Sequence, residues 1–275
     1  MKHFKLILLV LILPLPLHAA PEAELWEYWR KDNSNNTAQI NHQIWQQWLD
    51  RYVARDESGV NRVSYSKVTM ADRQRLQEYI NTLGTLPIRS YNAAEQKAYW
   101  INLYNALTVN LILAHYPVTS ITEIDISPGL FSNGPWGKKL ITIEDQPLSL
   151  DDIEHRILRP IWMDPRLHYT LNCASIGCPD LHQTAFTALN SEQLLDDNAR
   201  RFINHPRGVR FENRKLIVSK IYSWFQTDFG SSEKAVIKHL QQYSKAKLRS
   251  KLEGLSTIDR YEYNWKLNEL KIITP

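Results

Sequence analysis

Residues 164–181 read DPRLHYTLNCASIGCPDL and contain both cysteines of the chain, Cys173 and Cys178. The apolar pattern of residues 167–171 predicts a short buried strand. The glycine and proline within residues 174–179 predict a turn directly after that strand. Reactive side chains are often placed where a regular element runs out into a loop. This stretch is therefore the candidate site.

A long apolar segment precedes the stretch and is predicted to be a helix. Asn92 and Glu95 form a capping signal at its start, and the helix is expected to end near His115, before a proline. Apolar residues cover most sides of this segment, as is typical of a helix inside a domain. Asn102, Asn105 and Asn110 are then candidates for buried amides, which need partners. They hydrogen-bond to loop backbone, or Asn102 and Asn105 line a site beside the cysteines.

Helical patterns outnumber strand patterns, and the strands come as hairpins at residues 139–148 and 209–219. These features predict an α+β fold, a helix-rich single domain with a long buried central helix packed on a small, mainly antiparallel sheet. The single domain is expected to cover residues 21–275. Its core is predicted at about residues 92–268, with a helical N-terminal extension at residues 21–91.

The N-terminus predicts export. Lys2 and Lys5 precede an apolar run over residues 6–17, which is too short to span a bilayer. We expect a signal peptide at residues 1–20, with cleavage near Ala20, and an uncleaved anchor is the alternative. The mature chain is then periplasmic or secreted and has no transmembrane segment.

The charge and composition limit the partners that we expect. The formal net charge is +4 over 275 residues. So small a charge does not indicate a nucleic-acid partner. We find no glycine-rich phosphate loop and no other cofactor motif, and no cofactor is predicted. The partner is predicted to be an unknown small molecule, peptide or protein.

Several blocks together resemble a known family, the domain of unknown function 547 (DUF547). They are AYWINLYNALT at 98–108, LSLDDIEH at 148–155, DPRLH at 164–168, LNCASIGCP at 171–179, SKIYSWF at 219–225, DFG at 228–230 and YEYNWKLN at 261–268. The activity of this family is not established. The resemblance therefore implies a shared fold and an important central stretch, and it leaves the function open.

A disulfide between Cys173 and Cys178 is the first interpretation of the central stretch. Two cysteines in an exported chain indicate a disulfide, and a turn brings residues five positions apart within reach when the geometry allows. The chain would then be a binding or interaction domain. Its polar site, around residues 168–178, would be held by the disulfide.

Thiol catalysis is the alternative, with the chain as a cysteine-dependent hydrolase or acyl transferase. Cys173 would be the nucleophile and His168 its base. The group that orients the imidazole or binds an oxyanion would be Asn102, Asn105 or Asn172. A long helix beside a small sheet is similar to papain-like and transglutaminase-like folds, by fold analogy only. Those enzymes place the cysteine before the histidine, and here the order is reversed.

Zinc is the third interpretation, with His168, Cys173, Cys178 and His182 as ligands. The spacings differ from those of the usual cysteine knuckle, so no metal site is predicted. Glu154 and His155 offer a further acid and base pair, for which a solvated helix face is the alternative. The residues predicted to form the binding site are Asn102, Asn105, Ser175, Glu154 and His155.

Overall fold

Helix α3, Ala93–His115, runs through the apolar interior, and 18 of its 23 residues are buried. The side chain of Asn92 accepts hydrogen bonds from the backbone N–H groups of Ala94 and Glu95. This cap satisfies two of the donors that a helix start leaves free. The predicted start, end and burial of the central helix are confirmed.

The computed structural model describes residues 21–129 and 134–270. The predicted signal peptide at residues 1–20 lies outside these residues. The other helices of the described chain are α1 (Gln43–Tyr52), α2 (Met70–Gly84), α4 (Arg159–Trp162), α5 (Ser191–Ile203), α6 (Ile221–Trp224), α7 (Glu233–Tyr243) and α8 (Ala246–Leu252). A π-helical stretch, Asp152–Leu158, leads directly into α4. Short 3-10 helices lie at Glu27–Arg30, Tyr65–Lys67, Ile88–Ser90, Ile121–Glu123 and Pro165–Tyr169.

The strands are divided among three small sheets. They are β1 (Val53–Arg55), β2 (Asn61–Val63), β3 (Ile141–Ile143), β4 (Gln146–Leu148), β5 (Val209–Glu212), β6 (Lys215–Ser219) and β7 (Arg260–Glu262). β1 pairs with β2, β3 with β4 and β5 with β6, all antiparallel, while β7 joins β6 in parallel. The helix-rich α+β class is confirmed, as are both predicted hairpins.

The N-terminal extension contains α1 and α2. Before these helices the described part of the extension forms only a single 3-10 turn, Glu27–Arg30. Trp29 is nevertheless buried, and its ring contacts that of Trp100 on α3, with 5.1 Å between the ring centroids. Burial of these aromatic rings fixes the extension to the central helix.

The stretch before the cysteines is a 3-10 helix, Pro165–Tyr169, and the predicted strand over residues 167–171 is wrong. The Asp164 side chain accepts the backbone N–H of Arg166 at 2.9 Å. Pro165 follows at the first helical position, where its missing N–H costs no hydrogen bond. A local cap of this kind outweighs the weak apolar pattern of so short a segment.

The turn after Cys173 packs against a C-terminal segment that is distant in sequence. The N–H of Ile176 donates to the carbonyl of Lys266, and that of Gly177 donates to the carbonyl of Asn264, both at 2.8 Å. A Cβ atom on Gly177 would lie 2.6 Å from the backbone nitrogen of Asn264. Only glycine allows the two backbones to approach this closely.

Both buried asparagines of α3 hold loop backbone. Asn102 donates to the carbonyl of Phe186 and accepts the N–H of the same residue. Asn105 donates to the carbonyl of Thr170 at 2.9 Å and accepts the N–H of Asn172 at 2.8 Å. The prediction that both amides are buried and hydrogen-bonded is therefore confirmed, and Asn105 is bonded within the central stretch itself.

Asn105→Leu is expected to lower the free energy of unfolding by about 1–3 kcal/mol, because the change leaves two buried backbone groups without a partner. Asn110→Leu on the same helix is the matched control, since the Asn110 amide bonds the side chain of Gln77 at the surface. The control is expected to stay within about 0.5 kcal/mol. Urea denaturation monitored by tryptophan fluorescence measures both. Equal losses in the two variants would contradict the role of Asn105.

Candidate functional site

The two cysteines form a compact thiol cluster with Ser175 and Tyr263. Cys173 is half-buried, and its Sγ lies 2.9 Å from the Tyr263 hydroxyl and 3.5 Å from the Ser175 hydroxyl. The two hydroxyls lie 2.8 Å apart. Cys178 is buried, and its Sγ accepts the backbone N–H of Cys173 at 3.0 Å. The cluster therefore places a half-buried cysteine beside a buried one.

The predicted disulfide is not present in this structure, in which Cys173 and Cys178 are both free thiols. Hydrogen bonding to Cys178 lowers the pKa of Cys173 to about 7 despite burial, with further help from Ser175 and Tyr263. Burial raises the pKa of Cys178 well above its usual range, and the neighbouring Cys173 raises it further. Near neutral pH the pair therefore consists of a partly ionised Cys173 and a protonated Cys178.

His168 is bonded to a carboxylate and not to a thiol. Its Nε2 lies 2.7 Å from Oδ2 of Asp228, and its ring stacks on Phe225 with centroids 4.1 Å apart. Burial lowers the pKa of His168 against the opposing effect of Asp228. No hydrogen bond joins His168 to Cys173 in residues 21–129 and 134–270. The structure thus does not form the thiol–imidazole contact that catalysis by this pair requires.

Arg159 completes the partners of Asp228. Its Nε and Nη2 donate to the two carboxylate oxygens of Asp228 at 2.6 and 3.1 Å, in a bidentate pair. Although burial opposes ionisation, the bonds from His168 and Arg159 hold the pKa of Asp228 well below its usual range. An ionised Asp228 accepts a hydrogen bond from the N–H of Nε2 of His168, so in the neutral ring Nε2 keeps its proton and Nδ1 has none.

Glu154 lies on the other side of the His168 ring, with Oε1 3.9 Å from Nδ1. Burial raises the pKa of Glu154 to about 8. Tyr104 of α3 donates to its Oε2 at 3.0 Å. Glu154 is therefore a neutral, protonated acid at pH 7.

His155 is also buried, so the alternative of a solvated helix face is wrong for both residues. Its Nδ1 lies 2.9 Å from Nη1 of Arg159 and accepts a hydrogen bond. Burial, followed by the charge of Arg159, lowers the pKa of His155 to about 3. The neutral ring supports Arg159, which in turn holds Asp228.

The remaining predicted residues serve the backbone of the turn or lie elsewhere. Asn172 accepts the N–H of Ala174 and donates to the carbonyl of Pro179. His182 accepts the N–H of Thr184, and no hydrogen bond joins it to either cysteine in the part of the chain that the structure describes. Within residues 21–129 and 134–270, no group of three or more His, Cys, Asp or Glu side chains is arranged to hold a metal ion.

Sequence reasoning missed three residues of the site, namely Tyr263, Asp228 and Arg159. Tyr263 is 90 positions from Cys173, and Asp228 is 60 positions from His168. Tyr263 and Asp228 do lie within the sequence blocks YEYNWKLN and DFG. The polar residues of these blocks indicate that the blocks belong to the site. They do not indicate that Tyr263 contacts Cys173 or that Asp228 contacts His168.

Half-buried aromatic rings pack beside Tyr263 of the thiol cluster. Tyr263 contacts Trp224 and Trp265, with centroid distances of 4.8 and 4.6 Å. Trp136 contacts Trp265 at 5.8 Å. Rings of this kind offer a large and rigid contact area to a bound peptide or small molecule.

Residues 88–203 match the family model described as "Protein of unknown function, DUF547". This segment of the chain is similar to the DUF547 family. The match includes α3, the π-helical stretch and both cysteines, whereas Asp228 and Tyr263 lie beyond it. No curated protein and no solved structure matches the chain. In residues 21–129 and 134–270, no helix is both long enough and apolar enough to cross a membrane.

The buried acid predicts a pH dependence of stability. The pKa of Glu154 is about 8 in the folded chain, against an ordinary value of 4.5. Between pH 4.5 and pH 8, Glu154 is ionised in the unfolded chain and protonated in the folded chain. The contribution of Glu154 is therefore fully present below pH 4.5 and is lost as the pH rises towards 8.

Glu154→Gln is expected to remove this dependence while keeping the hydrogen bond from Tyr104. The free energy of unfolding of the variant is then expected to fall less steeply between pH 5 and 8, by up to about 1.4 kcal/mol per pH unit. Urea denaturation at several pH values measures the two slopes. Parallel curves for the variant and the parent chain would show that Glu154 ionises normally.

Proposed function

We propose that the DUF547-like chain acts through a reactive thiol at Cys173, and that Cys178 forms a reversible disulfide with it. The observation that carries this proposal is the unequal pair of thiols. The pKa of Cys173 is lowered to about 7, whereas Cys178 is buried and its pKa is raised. Thiol–disulfide exchange uses this division between an attacking thiolate and an enclosed thiol that attacks second.

The turn has its conformation without a disulfide, which supports a reactive role over a structural one. Nη1 of Arg207 donates to the carbonyls of Ile176 and Cys178, at 3.2 and 2.7 Å. Asn105 and the C-terminal segment hold both ends of the turn. Because these bonds do not depend on the sulfur atoms, the pair can change its redox state with the fold intact.

The proposed partner is a peptide or protein that carries a disulfide. The Cys173 thiolate attacks one sulfur of that disulfide, which forms a mixed disulfide and releases the other sulfur as a thiolate. Cys178 then attacks Cys173 Sγ, and its proton neutralises a departing thiolate. The partner leaves with one thiol and one thiolate, and the thiolate takes its proton from water. The chain keeps the Cys173–Cys178 disulfide, so two electrons have moved to the partner.

The oxidised chain corresponds to the predicted binding domain, in which the disulfide closes the polar site at residues 168–178. The half-buried rings of Tyr263, Trp224 and Trp265 are adjacent to Cys173 through Tyr263. We place the bound peptide against these rings. Polar contacts from the site would then orient its disulfide.

A cysteine-dependent hydrolase or acyl transferase is the second candidate. It is favoured by Glu154, whose raised pKa includes a contribution from the charge of Cys173. A protonated acid near a thiolate can protonate a leaving group. In this case an ester or thioester substrate would leave an acyl group on Cys173, which intact-mass spectrometry detects. Thiol–disulfide exchange leaves no such adduct.

Export of the chain is part of the proposal, because periplasmic or extracellular conditions supply partner disulfides. It rests on the lysines and the apolar run of residues 1–20. N-terminal sequencing of the protein from the periplasm or medium is expected to begin near Pro21. A cytoplasmic product that keeps Met1 would contradict export.

The reactivity of Cys173 is expected to follow its lowered pKa. In the reduced protein, the rate of alkylation of Cys173 by iodoacetamide should reach half of its maximum at about pH 7. Cys178→Ala removes the hydrogen bond with the largest effect, so alkylation at pH 7 should slow. Ser175→Ala is the control and should slow it less. Peptide mass spectrometry assigns the modified cysteine, and half-maximal alkylation above pH 8.5 would reject a reactive thiol.

The redox potential separates a reactive pair from a structural disulfide. We expect the pair to titrate reversibly in glutathione buffers at a potential between about −120 and −270 mV, the range of exchange proteins. Thiol trapping gives the oxidised fraction, and far-ultraviolet circular dichroism should not change. A potential below about −300 mV would identify a structural disulfide. Two slowly reacting thiols that never pair would reject both roles.

A further inference from the structure

An open cavity of about 350 Å³ lies apart from the thiol cluster. It is formed by the end of β1, the last turn of α5 and the linker between α7 and α8. The charged groups that line it are Arg55, Arg200, Arg201, Arg207, Lys245 and Asp180. Five cationic groups thus face one carboxylate among the described residues.

Asp180 does not neutralise this charge. It accepts a hydrogen bond from Nη2 of Arg201 at 2.7 Å, and Arg207 also pairs with it. Arg55, Arg200 and Lys245 form no ion pair in the part of the chain described. The C-terminal end of α5 contributes roughly half a negative charge, which is small beside the excess of positive charge.

Two further observations indicate that this excess lacks a counter-charge. Nε of Arg207 is buried and has no hydrogen-bond partner within the described chain. Burial lowers the pKa of Arg201, and repulsion by Arg55 and Arg207 also lowers it, so the opposing charges of Asp180 and Asp197 do not restore its usual value. A buried donor without a partner is uncommon in folded proteins.

We propose that this cavity binds a small soluble ligand that carries phosphoryl groups. Guanidinium groups bind phosphate oxygens in bidentate pairs, and several of them together match a multiply charged anion. The volume falls in the range of small-molecule sites. It is larger than a single phosphate needs, so the ligand carries two phosphoryl groups or one phosphoryl group on an organic body.

The ring of Tyr243 gives the organic body a surface. Tyr243 lines the cavity, and the guanidinium of Arg200 lies 5.6 Å from its ring centroid. A flat organic group can lie against this ring while its phosphoryl group contacts the arginines. The concave shape favours a small ligand over the long phosphate backbone of a nucleic acid.

Pyrophosphate tests the proposal on the full chain, at about 0.15 M salt, where surface charges are screened beyond roughly 8 Å. Arg55→Gln combined with Arg200→Gln removes two cationic groups of the cavity that hold no ion pair. Lys67→Gln combined with Lys234→Gln is the matched control, since both lysines are exposed and do not line the cavity. The two double variants change the net charge equally.

Isothermal titration calorimetry is expected to show saturable binding of pyrophosphate, and thermal unfolding should shift to higher temperature as the ligand concentration rises. Binding should weaken at least about tenfold in the Arg55/Arg200 variant, which loses two charge-assisted contacts. It should change less than about twofold in the Lys67/Lys234 variant. Equal unfolding temperatures without ligand would show that both variants fold.

Three results would overturn the proposal. The first is the absence of saturable binding up to about 10 mM pyrophosphate, since small-molecule sites of this kind bind more tightly. The second is equal weakening in the two double variants, which would indicate a response to net charge alone. The third is citrate binding as tight as that of pyrophosphate, because citrate is a multivalent anion without phosphoryl groups.

Discussion

The carboxamide of Asn105 joins the most buried helix of the protein to the stretch that carries both cysteines. It satisfies the carbonyl of Thr170 and the N–H of Asn172, two groups that have no access to water. The neighbouring residue on α3, Tyr104, donates to Glu154. Two consecutive side chains of one rigid helix therefore fix the thiol turn and the buried acid relative to each other. Since α3 is packed on almost every side, neither can move without opening the core.

Charge neutralisation constrains the site next to the thiols. Asp228 accepts bonds from both Arg159 and His168, and its ionised form balances the charge of Arg159. A second buried carboxylate would have no cation of its own, so Glu154 keeps its proton. The cost of an uncompensated buried charge is several kcal/mol. Of the two carboxyl groups around His168, Glu154 is therefore protonated at neutral pH and Asp228 is ionised. The charge of Cys173 contributes to the raised pKa of Glu154.

The sequence allowed prediction of elements whose signals are local. The Asn92 cap, both hairpins and the burial of Asn102 and Asn105 follow from residues within one or two turns of each other. The strand predicted at residues 167–171 failed because the cap formed by Asp164 outweighs the preference of Leu167, Tyr169 and Leu171 for a strand. The bonds from Tyr263 to Cys173 and from Asp228 to His168 depend on how distant segments pack, which no local pattern reports. Likewise, a net charge of +4 conceals five cationic groups around one cavity, because acidic residues elsewhere cancel them in the sum.

Arg207 belongs to both the thiol turn and the cationic cavity, and its separate nitrogen atoms keep the two roles distinct. Nη1 holds the carbonyls of Ile176 and Cys178, Nη2 pairs with Asp180, and Nε has no partner in the described chain. Because the guanidinium is planar and rigid, these bonds fix its orientation relative to both the turn and Asp180. Arg207 therefore contributes positive charge to the cavity from a position that the backbone of the thiol turn determines.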